Sequence, residues 1–538
     1  MTRQAASERG IAIGAVAFAT ALGEASRSLA LHPLPAVRAA ADLATGSGLA
    51  AVAALGAASP WYALLRAEHE LIARNLRELV AALAADPELG APTRRKLAFL
   101  AEQAVAATAP ENWPWSNPAV LRAALDTGGR SLLRGARNAL RDLAAGGAPL
   151  QTPAGALVPG RDLALTPGSV VFRNRLVEVI QYAPRTAGVH AVPLLVSPPW
   201  VNKYYVLDLA PGRSIVEWAV AHGHTVFAIS YRNPDAALRD LTMSDYLEDG
   251  LLAALDVATD VTGAAEVNVA ALCVGGTLAT AGAAWLAARG ERGIRSLTLL
   301  NTLLDFTDPG PLGAFIDEEA VDRLERSLAP IGYFPAAGMK AVFDLLRPRD
   351  LLWGYAVHGW LLGEDPPPSD LLTWNADSTR MPAAMHIEYL RTCYLENRLA
   401  EGKLELAGQR LGLGTVRQDA YVVGAVTDHI APWTSAHAGA RLLGGDVRFV
   451  LSTAGHVAGV VNPPGDPAAA RRRHWTDAPL AADPATWLAA AVERPGSWWP
   501  DWAEWLAARA GELVPPPPTG SAAHPVIEPA PGRYVLEP

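Results

Sequence analysis

Thiol chemistry is nearly absent from this chain, which has two cysteines, Cys273 and Cys393, in 538 residues. Two thiols cannot build the cross-linked framework of a small secreted protein, and their scarcity fits a reducing cytoplasm. Charge is also sparse, at 18% of residues with a net charge of -9. That leaves no cationic footprint for nucleic acid. The one basic run, Arg471-Arg472-Arg473-His474, reads as a solvated loop. No apolar run reaches the roughly 18 residues of a membrane span, so no transmembrane segment is expected. Arg3 and Arg9 ahead of the apolar residues 11–22 imitate a secretory signal. Glu24 and Arg27 continue the same helical pattern without a break, so an apolar, interface-seeking helix is expected there instead. Neither metal-ligand spacing nor a glycine-rich phosphate loop occurs, so no metal and no nucleotide cofactor is expected.

Hydrophobic residues are abundant: they make up 50% of the chain, enough for a large core and two domains. Residues 1–165 read as a mostly helical N-terminal domain. Its segments cover 15–29, 62–85, 93–107 and 119–145, and the second and third show apolar i, i+3, i+4 spacing. Nothing in it resembles acid–base or metal chemistry, which leaves packing, dimerisation or contact with an apolar surface. From Thr166 the texture changes. A hairpin over 169–182 and strands at 192–196, 225–230, 267–272 and 296–300 alternate with helices at 214–222 and 243–261. That alternation predicts an α/β fold with a parallel sheet covered on both faces, its first part being residues 166–302. After Asn301 the alternation stops, and residues 303–410, rich in Trp, Tyr and Pro, read as a cap that keeps water from the site. Residues 411–510 form the second part of the core. The Pro-rich tail 511–538 is expected to be extended and to have no core of its own.

The chemistry centres on Cys273. A β-branched run, Val267 to Leu272, ends there, and Gly275, Gly276 and a helix-forming segment follow at once. Strand, sharp turn and helix with a nucleophile at the apex is the layout of the nucleophile elbow in α/β-hydrolases. The apex backbone is strained and the flanking elements nearly touch, so small neighbours are required; Ala271, Gly275 and Gly276 supply them. The helix N-terminus favours a thiolate, and the Val274 N–H is one candidate oxyanion donor. The elbow alone leaves open that Cys273 is a small buried apolar residue. Asp428, just past a predicted strand at 420–426, and His456, just past one at 447–451, weigh against that. Nucleophile, acid and histidine then follow in the α/β-hydrolase order. Cys393, mid-helix and without glycines or a base nearby, reads as packing. His429, next to Asp428, reads as structural.

Several segments resemble one family, the polyhydroxyalkanoate synthases of the long single-subunit kind (class I or II). These are Thr166-Pro167-Gly168-Ser169-Val170-Val171-Phe172-Arg173-Asn174, Pro198-Pro199-Trp200-Val201-Asn202-Lys203-Tyr204-Tyr205, Ser230-Tyr231-Arg232-Asn233-Pro234, Leu272-Cys273-Val274-Gly275-Gly276-Thr277, Trp374-Asn375-Ala376-Asp377-Ser378-Thr379-Arg380, Asp428-His429-Ile430-Ala431-Pro432-Trp433 and Gly455-His456. Ala271 stands where the family's box usually begins with glycine. The resemblance implies an α/β-hydrolase core with a cap insertion, in a cytoplasmic enzyme that polymerises (R)-3-hydroxyacyl-CoA into storage polyester and releases CoA. It implies a homodimer at the surface of polyester granules. Cys273 would be the nucleophile and His456 would take its proton. Asp428 would orient His456 or help activate the 3-hydroxyl of the incoming unit. The N–H groups of Val274 and Val201 would hold the oxyanion. The competing readings are a hydrolytic relative with the same triad (a thioesterase or intracellular polyester depolymerase) and a non-catalytic granule protein.

Overall fold

In the computed structural model, residues 60–86, 88–465 and 471–538 are described. The apolar helix expected near the start, over 11–22, and its continuation to 29 lie outside them. Contacts divide the chain into two units. One holds residues 60–156 with 311–320 and 341–368; the other holds 157–310, 321–340 and 369–538.

The second unit is built on an 11-stranded sheet. Its strands are β1 (Gly168–Arg173), β2 (Val177–Tyr182), β3 (Leu194–Ser197), β4 (Val226–Tyr231), β5 (Val267–Leu272), β6 (Ile294–Leu300), β7 (Asp419–Ala425), β8 (Val447–Ser452), β9 (Arg473–Thr476), β10 (Val492–Pro495) and β11 (Glu528–Pro529). The order across the sheet is β10-β9-β8-β7-β6-β5-β3-β4-β2-β1-β11. The six central strands, β3 to β8, run parallel. The pairings at both edges are antiparallel. Every residue of β3, β4 and β5 is buried, which is why these strands read as largely apolar runs in sequence, broken only by Ser197, Ser230 and Asn268. Residues 301–418 add no strand to this sheet.

Two expectations about the rim are corrected. Arg473 and His474 do not lie in a solvated loop; they open β9. His474 is buried, while Arg473 faces outward and pairs with Glu493 of β10 at 2.5 Å. Alternation along a strand near the rim hides one side chain and exposes the next, so a charged run can still be a strand. The tail has short strands, turns and a helical turn at Tyr534–Leu536, and it shares the main core. β11 pairs with β1, and Tyr534 and Val535 are buried.

The first unit is helical: α1 (Pro60–Ala84), α2 (Ala91–Ala107), α3 (Pro118–Asp126) and α4 (Arg130–Ala145). The single helix expected over 119–145 is two helices. Gly128 and Gly129 both adopt positive φ between them, a conformation that glycine takes at no steric cost. Asn117 starts α3 by accepting the Ala119 N–H at 2.9 Å. Within this unit α4 meets residue 360 closely. Trp360 Nε1 donates to Asp142 at 2.9 Å, and a methyl on Gly135 would lie 2.0 Å from the Trp360 carbonyl.

Candidate active site

Cys273 closes β5, which follows helices α5 (Ile215–Ala221) and α6 (Ala253–Thr262) in the chain, and caps α7 (Val274–Ala288), with φ 55° and ψ -127°. A non-glycine residue held there is strained by about 1–3 kcal/mol, so the surroundings must over-determine it. They do. Its amide donates to the Leu300 carbonyl at 2.9 Å, and its carbonyl accepts from Gly276 at 2.9 Å and Thr277 at 3.2 Å. A methyl on Gly275 would lie 2.6 Å from the carbonyls of Ser197 and Pro198, and one on Gly276 would lie 2.0 Å from Thr302 Oγ1. Only glycine fits at either place. Ala271, by contrast, is fully buried in β5 between Ser197 of β3 and Leu299 of β6. Its extra methyl is accommodated and the elbow forms.

Asp428 follows β7 and His456 follows β8, two adjacent parallel strands whose ends bring the loops together. His456 Nδ1 and Asp428 Oδ2 are 2.7 Å apart, and the other carboxylate oxygen accepts from the N–H groups of Ile430 (2.8 Å) and Ala431 (2.9 Å). That leaves the second imidazole nitrogen for Cys273, which lies close enough to act on the charge of His456. Burial opposes a charge on this imidazole. The carboxylate of Asp428 and the negative charge of a Cys273 thiolate outweigh it and hold the His456 pKa well above its ordinary value. All three residues therefore meet as the sequence order predicts. His429, half-buried beside them, takes no part in the Asp428–His456 bond.

Sequence reasoning missed several supports. Asn301, in the left-handed region at φ 45°, donates its main-chain N–H to Val423 and its side-chain amide to the His456 carbonyl. Its only mark in the sequence is that strand–helix alternation ends there. Trp498 and Trp499 donate their indole N–H groups to the carbonyls of Gly459 (2.8 Å) and Val460 (2.9 Å), fixing the far end of the histidine loop. Phe306, Tyr389 and Tyr394 pack edge-to-face as a cluster. Burial raises both phenols; for Tyr394 the charge of Cys273 adds to it, and for Tyr389 the charges of Tyr394, Cys393 and Cys273 do, so the pair lies within electrostatic reach of the nucleophile. Tyr–x–x–x–x–Tyr within the expected cap helix was the available signal, but it looks like ordinary core spacing. Cys393 is fully buried, and burial pushes its thiol up to about 12, as suits a packing residue.

The two expected oxyanion donors lie on separate elements. Val274 is the first residue of α7, whose opening N–H groups have no acceptor within the helix. Val201 lies in the loop after β3, whose carbonyls face the segment 374–379. Thr379 Oγ1 donates to the Trp200 carbonyl at 2.5 Å, Thr379 N–H to Val201 at 3.3 Å, and Trp374 Nε1 to Lys203 at 2.7 Å. The Cys273 N–H is already engaged by Leu300.

A family profile described as the N-terminus of poly-beta-hydroxybutyrate polymerase (PhaC) matches residues 55–219. The chain is 45% identical over 481 residues to the poly(3-hydroxyalkanoate) polymerase subunit PhaC of Cupriavidus necator, covering 88% of this chain and 80% of that one. The chain belongs to the poly(3-hydroxyalkanoate) polymerase family. The polymerase of Methylorubrum extorquens is 44% identical (89% and 79% covered), and polymerase 1 of Ectopseudomonas oleovorans is 40% identical (80% and 77%). This poly(3-hydroxyalkanoate) polymerase family member is thus an enzyme, an acyltransferase, on an α/β-hydrolase fold with a helical N-terminal region. Among solved structures, an α/β-hydrolase fold protein from Chitinophaga pinensis is 14% identical, covers 56% of this chain and 95% of its own, and has a TM-score of 0.32. Among the described residues no helix is long and apolar enough to cross a membrane.

Proposed function

We propose that the protein polymerises (R)-3-hydroxyacyl-CoA into polyhydroxyalkanoate with release of CoA, through a thioester on Cys273. The observation that carries this is the strained elbow cysteine beside a His456–Asp428 pair whose Nδ1 and Oδ2 are 2.7 Å apart. In the first step the Cys273 thiolate attacks the thioester carbonyl. The C–S bond to CoA breaks, and His456 returns the thiol proton to the departing CoA sulfur. In the second step the His456–Asp428 pair takes the proton of a 3-hydroxyl, whose oxygen attacks the acyl-Cys273. An ester forms and Cys273 leaves as a thiolate, ready for the next unit. Sulfur suits this cycle because it both attacks and leaves well.

Val274 and Val201 hold the oxyanion in this scheme. Across a trans peptide the N–H points opposite to the preceding carbonyl. Because the Trp200 carbonyl turns toward Thr379, the Val201 N–H turns away from it. The start of the same loop packs against Gly275, at the head of α7. Phe306, Tyr389 and Tyr394 shield the acyl-enzyme from water, which favours polymerisation over hydrolysis. Membership in the family supports a cytoplasmic homodimer at polyester granules, with the helical N-terminal region as its contact element. One assay tests the reading: purified protein with (R)-3-hydroxybutyryl-CoA, following CoA release and product length. Polymer is the expected product. Free 3-hydroxybutyrate would assign a hydrolase, and no CoA release a non-catalytic protein.

A further inference from the structure

Lys203 is 3% exposed, and its ammonium is directed at one short stretch of chain. It donates to the carbonyls of Val535 (3.2 Å), Tyr534 (3.5 Å) and Glu537. Three acceptors match the three protons of an ammonium, which is what a buried lysine needs to remain charged. The same stretch is gripped elsewhere. Glu178, wholly buried, accepts from the Tyr534 N–H at 3.1 Å and pairs with Arg173 at 2.5 Å. The Tyr534 hydroxyl donates to the Asn174 carbonyl at 2.5 Å. Asn233 donates to Pro538 at 2.6 Å and accepts from the Arg380 N–H at 2.9 Å. Arg380 is next to Thr379, which holds the other side of the loop. The loop after β3 is thus held on its carbonyl side by residues 374–379 and at Lys203 by residues 534–537.

We propose that residues 533–538 are a positioning strap for the oxyanion loop, with Lys203 as the positioning residue that ties the strap to Val201. The inference rests on the reading of Val201 as an oxyanion donor. A donor displaced by about 1 Å loses on the order of 10²-fold in rate, so a loop freed at one end should acylate slowly even with an intact triad.

Two reactions of Cys273 separate positioning from general damage. Alkylation by iodoacetamide uses the thiolate but builds no oxyanion, whereas acylation by (R)-3-hydroxybutyryl-CoA builds one. In full-length protein, Lys203→Met should alkylate within about twofold of wild type and acylate about 10- to 100-fold more slowly in a single turnover. A chain ending at Gly532 should behave alike, and combining the two changes should cost no more than either alone. Should Lys203→Met fold poorly, Arg380→Gln, which shortens the side chain whose guanidinium donates to the Pro538 carbonyl at the end of the strap, should give the same signature more weakly. Acylation within twofold of wild type, or equal losses in both reactions, overturns the strap. Val201→Pro tests the underlying reading separately, because it deletes the N–H while Lys203 and the strap remain. Normal acylation by Val201→Pro overturns the oxyanion assignment whatever Lys203→Met does. Slow acylation with normal alkylation supports that assignment, even if Lys203→Met proves silent.

Discussion

At the residue scale, the two thiols are predicted to differ completely. Cys273→Ala should abolish both CoA release and active-site labelling, whereas Cys393→Ala, buried without a base, should keep most activity. Wild-type turnover by Cys273→Ala would remove the basis of the proposed cycle. Asp428 has two separable tasks. Acylation starts from a thiol already next to His456, but elongation must deprotonate an alcohol, which is several pKa units harder. Asp428→Asn keeps an acceptor for Ile430 and Ala431. It should therefore release about one CoA per site in an early burst and then elongate very slowly. A stopped-flow trace with no burst would mean the carboxylate is needed for thiol activation itself. The pair also carries a pH signature. The folded protein holds the His456 pKa above its unfolded value near 6.5. The stability this adds is complete below that value and is lost as pH rises through the folded one. The melting-temperature gap between wild type and Asp428→Asn should be widest near pH 6 and shrink in alkaline buffer.

At the scale of an element, the elbow depends on two close approaches that differ in kind. Gly275 faces backbone carbonyls, whereas Gly276 faces the side chain of Thr302. Overpacking of this sort costs about 1–3 kcal/mol when neighbours can yield. Gly276→Ala should lower the melting temperature and slow alkylation of Cys273. Adding Thr302→Ala should recover part of both, because the nearest clashing atom, Thr302 Oγ1, is removed. The same second change should not help Gly275→Ala, where nothing but main chain can move. Equal recovery in both backgrounds would show that the elbow tolerates larger residues than its geometry indicates.

At the scale of the whole molecule, the triad, its loops and the strap all lie in the sheet-bearing unit, while helices α1 to α4 belong to the other. If the proposed contacts of the N-terminal region hold, deleting residues 1–110 should impair dimerisation or granule attachment more than it harms the fold of the sheet-bearing unit. Sedimentation and granule pull-down check this, alongside a melting curve. A truncated protein that dimerises and attaches as well as the intact one would assign those contacts to the remaining chain.

Local chemistry made much of this legible in the sequence. Fully buried strands such as Val267–Leu272 are mostly apolar, and their one polar side chain, Asn268, is paired with Ser296, so they show as apolar runs with little polar interruption. The elbow shows as glycines because two methyls have no room there. The triad shows as order along the chain because its members sit at the ends of β5, β7 and β8. Strands at the antiparallel rims were less visible: β9 carries charge, and β11 hides inside a Pro-rich tail. The roles of Asn301, Lys203, Trp498 and Thr379 could not be read from their neighbours. Each acts by a hydrogen bond to a main-chain group far away in sequence, in one case more than 330 residues off. Sequence patterns record what a residue type must avoid, such as water, a clash or an unpaired charge. Which distant carbonyl a buried donor finds is decided only when the sheet brings the two together.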